Sequence, residues 1–275
     1  MKKRFITFFI FIVILGFSFR LIAQFTPEEV AEREKWEEFL KTAEIIDQQQ
    51  MTSRQAVTSP WVLTLKKDDI TRRALWKNPE GRFRGYWEGW KYEIAAYRLD
   101  KYLELNMVPP TVEKRFKGDR GSCQLWVEYE ISLLNFIEQK IAVPSYKIFH
   151  WNRATYLQRA FDNLIANEDR HAGNVFITKD WRILLPDHSR SFRATKKYTQ
   201  NLIYTEKHKE GAKLMRELPR SFVEKIKALN FELIKDIVGD YLNKSEINAV
   251  LARKELILQE INKLIQKYGE DKVLY

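Results

Sequence analysis

Two short stretches of the 275-residue chain gather side chains able to hold a metal ion and move a proton. The first is Asn167-Glu168-Asp169-Arg170-His171-Ala172-Gly173-Asn174, and the second is Asp187-His188-Ser189-Arg190-Ser191-Phe192. Asp169 and Asn174 stand five apart, and Asp187 follows thirteen residues after Asn174. Between them, residues 175–177 and 181–185 read as a small hairpin around Thr178-Lys179-Asp180. A loop that presents one carboxylate, followed by a hairpin that returns the chain beside it, brings a second carboxylate and an amide oxygen to a shared point. Such oxygens suit Mg²⁺, which also takes phosphate oxygens and water. Each fragment alone has an ordinary reading, Asp-Arg-His as a capped helix end and Asp-His as a tight loop. Their joint spacing favours a site.

That spacing resembles the protein kinases, in which a catalytic-loop aspartate precedes a metal-binding asparagine by five positions and a second metal-binding aspartate follows a hairpin. The order Asp-Arg-His, rather than His-Arg-Asp, resembles the atypical branch: phosphoinositide kinases, HipA-type bacterial kinases and the Golgi secretory-pathway casein kinases. The match is strongest over residues 161–192 and weaker over 74–127. The resemblance implies that Asp169 is the catalytic base or hydroxyl-orienting carboxylate, and that Asn174 and Asp187 hold Mg²⁺ or Mn²⁺. By the same resemblance His171 supports the transferring phosphate or the loop. Arg73-Ala74-Leu75-Trp76-Lys77 alternates like a strand and resembles the kinase strand whose lysine grips the ATP phosphates, with Lys77 in that place; alone, Lys77 reads equally as a solvated strand end. The lysine's partner on the next helix is Glu93, preferred because Trp90, Ile94 and Tyr97 mark the buried side near it, or Glu88.

Residues 126–130 occupy the place of the inter-lobe hinge, so Trp126, Val127 and Glu128 are expected to meet adenine through backbone groups. The glycine-rich loop is missing from residues 54–60, which leaves phosphate cover to other N–H groups or to Thr58 and Ser59. The implied function is transfer of the γ-phosphoryl group of ATP to a hydroxyl acceptor, protein more than lipid or sugar. The alternative is a catalytically silent pseudokinase or binding protein that keeps the fold. A metal-dependent phosphoesterase or a nucleic-acid-binding protein explains neither Lys77 nor the helix after it. Residues 190–219, where an acceptor would dock, carry no readable motif.

The elements that must position these residues follow from periodicity. Residues 61–65 and 73–76 read as an antiparallel pair, 87–105 as a helix ended by Asn106 and Pro109-Pro110, and 111–115 with 123–127 as two more strands. Beyond Pro144 the pattern turns helical, most clearly at 154–165 and from 213 onward. The fold class is α+β, a two-lobed kinase-like arrangement: a lead-in helix in 24–50, a nucleotide-binding lobe in 51–130 and a catalytic helical lobe in 131–275.

One cysteine excludes an intrachain disulfide framework, and with only four histidines a metal is expected to be held mostly by oxygen ligands. Cys123 reads as a core filler. Met1-Lys2-Lys3-Arg4 followed by the apolar run 5–19 reads as an export signal cut after Ala23. Fifteen residues rise only about 22 Å as a helix, short of a bilayer core of roughly 30 Å, so membrane contact is expected only if this segment stays uncleaved. The net charge of +10 includes four basic residues in the first 23, and the remaining +6 is a weak electrostatic footprint, so no nucleic-acid partner is expected.

Overall fold

A computed structural model of the chain describes residues 25–52, 58–205 and 215–275. The leader at 1–23 and residues 54–57 of the expected phosphate cover lie outside them. The alternating residues after Pro60 form β2 (Trp61–Lys67), which turns at Asp68, a left-handed residue with φ 53°, into β3 (Ile70–Lys77). β6 (Thr111–Phe116) and β7 (Asp119–Leu125) add a second hairpin. With β1 (Glu44–Gln50) they make an antiparallel sheet in the order β1-β2-β3-β7-β6.

The lead-in differs from expectation. Thr26 and Glu29 form a capping box on α1 (Pro27–Ala31), and α2 (Arg33–Thr42) follows, but helix gives way to strand at Ala43. The cause lies elsewhere in the chain. Lys114 of β6 donates from its Nζ to the carbonyls of Leu40, Lys41 and Ala43 at 3.0, 3.3 and 2.8 Å, satisfying the carbonyl groups that a helix end leaves open. β1 then becomes an edge strand whose Glu44, Asp47 and glutamines face water, a polar edge that resists further pairing.

The next helix, α3, spans Trp90–Leu103 and is shorter than read at both ends. Residues ahead of it pair as β4 (Glu80–Phe83) and β5 (Tyr86–Gly89) around Arg84 and Gly85, whose φ angles of 48° and 88° suit a primed hairpin turn. At the other end, Glu104 takes φ 56° and stops the helix before the prolines are reached. α2 covers the small lobe's apolar sheet face: Phe39 and Leu40 pack on Leu63, Leu65, Ala74, Trp76, Val112, Phe116 and Cys123. Ala95, Ala96, Leu99 and Leu103 of α3 join the larger core instead, so α3 is the junction between the lobes.

That larger core is built on α5 (Ile148–Ile165), α7 (Arg220–Ala228), α8 (Phe231–Val238) and α9 (Lys244–Tyr268), numbered after α4 (Leu133–Glu138) and the short α6 (Lys196–Gln200). The expected hairpin is present as β9 (Phe176–Ile177) and β10 (Ile183–Leu184), joined by the two-residue β8 (Ile131–Ser132). Cys123 is buried and burial pushes its thiol up to about 12, the environment of a packing residue.

Asp100, fully buried near the end of α3, accepts the N–H groups of Met107 and Val108 at 2.9 and 3.1 Å and pairs with the buried Arg33 at 3.3 Å. Asp100→Ala strands a buried guanidinium and two buried donors together. Urea unfolding should show a loss of about 3–5 kcal/mol; a change under 1 kcal/mol would mean that this junction does not hold the lobes.

Candidate active site

Lys77 ends β3 with its Nζ 2.9 Å from Glu93 Oε1 and 2.9 Å from Asp187 Oδ1. Its position depends on a close strand approach. A Cβ on Gly121 of β7 would lie 2.5 Å from the Lys77 carbonyl, so this place in the sheet admits only glycine. Glu93 reaches both sides of the cleft, because its Oε2 accepts the His188 N–H at 2.9 Å. The choice between the two glutamates is thereby made. α3 starts at Trp90, so Glu93 lies in its first turn, while Glu88 lies on β5 and meets Ser189 at 2.6 Å and Arg190 at 2.8 Å.

The loop carrying Asp169 is fixed from beneath. α5 ends at Ala166 in the left-handed region; Asn167 then accepts the Asp169 N–H at 3.1 Å and donates to the Asp187 carbonyl at 3.3 Å. Arg170, whose side chain is buried, pairs with Asp162 at 3.2 Å and donates to the carbonyls of Asn174 and Pro186 at 2.7 and 2.6 Å. One guanidinium thus locks the first motif to the second. Its NH2 also lies 2.8 Å from His188 Nε2, which must act as acceptor and leave the ring proton on Nδ1. Burial, aided by Arg170, pushes the His188 pKa down and keeps the ring neutral.

His171 accepts the Gly173 N–H on its Nδ1 at 3.1 Å and so shapes the one-turn 3₁₀ segment Ala172–Asn174. A Cβ on Gly173 would meet that ring at 2.9 Å.

Asp169, His171, Asn174 and Asp187 line one side of a cleft of about 790 Å³, with Leu75, Lys77, Trp126 and Val127 on the other. That volume suits a cofactor-sized ligand. The Asp169 and Asp187 side chains remain 33% and 35% exposed, open enough to meet one.

The electrostatics favour a cation. Burial works against ionisation of Asp187, but Lys77 outweighs it and holds the carboxyl well below the usual range. Burial likewise opposes the charge on Lys77, and Asp187 with Glu93 overcome it, so the amine stays protonated. Asp169 is pushed up by burial, which Arg190 only partly offsets. Within this linked network Glu88, Glu93, Asp169 and Asp187 face two cations, Lys77 and Arg190, so the carboxylates outnumber the cations by two when ionised.

Among the described residues, no three His, Cys, Asp or Glu side chains cluster as a self-sufficient metal cage. The donor set still fits a hard divalent ion. Asp187 gives Oδ1 to Lys77 and Ser189, while its Oδ2 and the Asn174 Oδ1 accept no hydrogen bond from any described residue. Two such oxygens lining one cleft suit Mg²⁺ or Mn²⁺ when phosphate and water complete the shell.

Trp126 uses its N–H on the Arg73 carbonyl at 3.0 Å, and its ring carries the Arg73 guanidinium. The backbone groups of Val127 and Glu128 make no hydrogen bond to described residues, as an adenine-binding hinge would need. The Glu128 side chain does not line the cleft; it pairs with Arg73, which shares the β3 face of Leu75 and Lys77 but lies beyond the cleft lining, over the Trp126 ring. Thr58 lines the cleft and Ser59 does not. The β4–β5 hairpin contributes Arg84, Tyr86 and Glu88; its second strand overlaps the start of the expected helix, since residues 87–89 pair as strand and the helix begins at Trp90.

The sequence pattern likewise gives no role in the site to Asp162, Asn167, Ser189 or Arg190. The signal for Asp162 is a carboxylate followed by a neutral amide, Asp162-Asn163, inside an apolar helical run.

No protein-family model matches the sequence, and no curated protein matches it by sequence. Solved structures do match. The structure of hydra Fam20 with sugar aligns at TM-score 0.62 and 14% identity, covering 89% of this chain and 92% of that one. A Golgi casein kinase aligns at TM-score 0.62 and 16% identity over 92% of this chain and 80% of that one. The Golgi casein kinase with Mn/ADP bound aligns at TM-score 0.61 and 17% identity, with the same coverage. The chain has the α+β, two-lobed kinase-like fold of these proteins.

Proposed function

We propose that this chain is an exported kinase that transfers the γ-phosphoryl group of ATP to a hydroxyl acceptor, a protein side chain before a lipid or a sugar. The observation that carries the reading is Lys77, whose amine sits 2.9 Å from both Glu93 and Asp187 across the cleft. Those three residues lie far apart in sequence and are the parts a kinase needs on either side of a nucleotide. In the proposed reaction the acceptor oxygen attacks the γ-phosphorus, its proton passes to Asp169, the bond from γ-phosphorus to the bridging oxygen breaks, and ADP leaves. Lys77 binds α- and β-phosphate oxygens, and Asp187 with Asn174 would hold Mg²⁺ or Mn²⁺, which neutralises phosphate charge. The Golgi casein kinase with Mn/ADP bound supports manganese and a nucleotide, and its name supports a protein acceptor. Export rests on the basic start and apolar run of residues 1–23.

The test is one preparation, secreted with its own leader. Its N-terminus should begin near Gln24, calorimetry should show ATP binding that requires Mg²⁺ or Mn²⁺, and labelled phosphate should reach the protein itself or members of a panel of secreted proteins, lipids and sugars. Binding without transfer would identify the silent form of the fold. Absence of binding with either metal would end the kinase reading, and an intact Met1 on a cytoplasmic product would end the export reading.

A further inference from the structure

Arg190 touches more of the site than any role assigned above requires. Its NH1 lies 3.1 Å from Asp169 Oδ1, its NH2 and Nε lie 2.8 and 2.9 Å from Glu88 Oε1, and its guanidinium stacks 4.6 Å from the Tyr86 ring centroid. Glu88 is 4% exposed and cannot turn to water. Its second oxygen is held by the Ser189 hydroxyl at 2.6 Å, and that hydroxyl lies 3.1 Å from Asp187 Oδ1. The guanidinium is therefore gripped on one edge by the small lobe's β4–β5 hairpin and presents its other edge to the loop of the large lobe. Asp169 Oδ2 takes no hydrogen bond from any described residue.

We infer that Arg190 is the positioning residue of Asp169. It occupies one carboxylate oxygen, leaves the other turned to the acceptor hydroxyl, and borrows its own rigidity from Glu88 and Tyr86. This rests on the phosphotransfer reading for its consequence, though not for the contact itself. A planar fork suits the task, since it can bond Glu88 and Asp169 at once along separate edges, where an ammonium cannot fix an orientation. Lys77 and Glu93 do the corresponding work for Asp187, so each catalytic-cleft aspartate has its own cation and each cation its own glutamate.

The experiment is a double-mutant cycle of Arg190→Met with Asp169→Asn, read in phosphotransfer and in urea unfolding, with Arg190→Lys as the better-folding variant. Arg190→Met should lower kcat by about 10- to 100-fold, the scale of a misplaced reacting group, with the calorimetric nucleotide affinity changed less than about threefold. Arg190→Lys should recover part of kcat. The double variant should transfer no more slowly than Asp169→Asn alone, because Arg190 acts through that carboxylate, and the unfolding cycle should be non-additive. Multiplying kinetic effects, an additive unfolding cycle, or a loss confined to nucleotide affinity would each overturn the inference. A wild-type protein that transfers no phosphate would sink the phosphotransferase reading alone, while the unfolding cycle would still decide whether Arg190 and Asp169 are coupled.

Discussion

Asp187→Ala should abolish metal-dependent nucleotide binding. The substitution removes the carboxylate whose Oδ2 is open to a cation, and only Asn174 would remain to hold the ion from the protein side. Without the ion, the polyphosphate faces Glu88, Glu93 and Asp169 with Lys77 already paired to one of them. Loss of a residue that only hydrogen-bonds a metal ligand typically costs about 10- to 100-fold in metal affinity, so loss of the ligand itself should exceed about 100-fold. Calorimetric titration of ATP with Mn²⁺ and then Mg²⁺ measures it. The fold should survive, because Lys77 keeps Glu93 and the Asp187 backbone carbonyl keeps Asn167. Undiminished metal-dependent binding by a folded Asp187→Ala protein would remove Asp187 from the metal.

Asp169→Asn should behave in the opposite way, with nucleotide binding retained and transfer falling by roughly two to four orders of magnitude. The amide keeps an oxygen for Arg190 and leaves the Asn167 contact to the backbone untouched, so the loop keeps its shape. What disappears is the proton acceptor. The pH profile gives a second measurement. As the proposed proton acceptor, Asp169 would act when ionised, so wild-type transfer should be lost as pH falls through its pKa, with a slope of one proton. The residual rate of Asp169→Asn should lack that limb. Equal loss of nucleotide binding in both variants, or an unchanged acid limb in Asp169→Asn, would mean that the roles divided here between the two aspartates are wrong.

The positions of these residues were legible in different degrees. Asp169, Asn174 and Asp187 could be placed from sequence because the elements joining them are a loop and a hairpin, whose geometry is set by residues within about twenty positions. Strand alternation placed Lys77 only at a strand end; its place in the site came from the resemblance to the kinase strand that ends in lysine. Between Glu88 and Glu93, the apolar marks at Trp90, Ile94 and Tyr97 gave a preference. The assignment depended on where α3 begins, and that start is fixed by β4 and β5 pairing across a turn at Arg84 and Gly85.

The end of α2 shows the same division from the other side. Residues 33–50 carry no breaker, so they read as continuous helix, yet Lys114, some seventy positions away, takes the carbonyls at the end of α2 and lets the chain leave as β1. By itself, the sequence determined the kinase-like order of strands and helices and the spacing of the two motifs, since periodicity and turn chemistry act between near neighbours. Tertiary structure alone decided which charge meets which. Arg190 pairs with Glu88, Lys77 with Glu93 and Asp187, and Arg170 with Asp162 because burial makes an unpaired charge costly and packing determines which opposite charge lies within 3 Å or so of it.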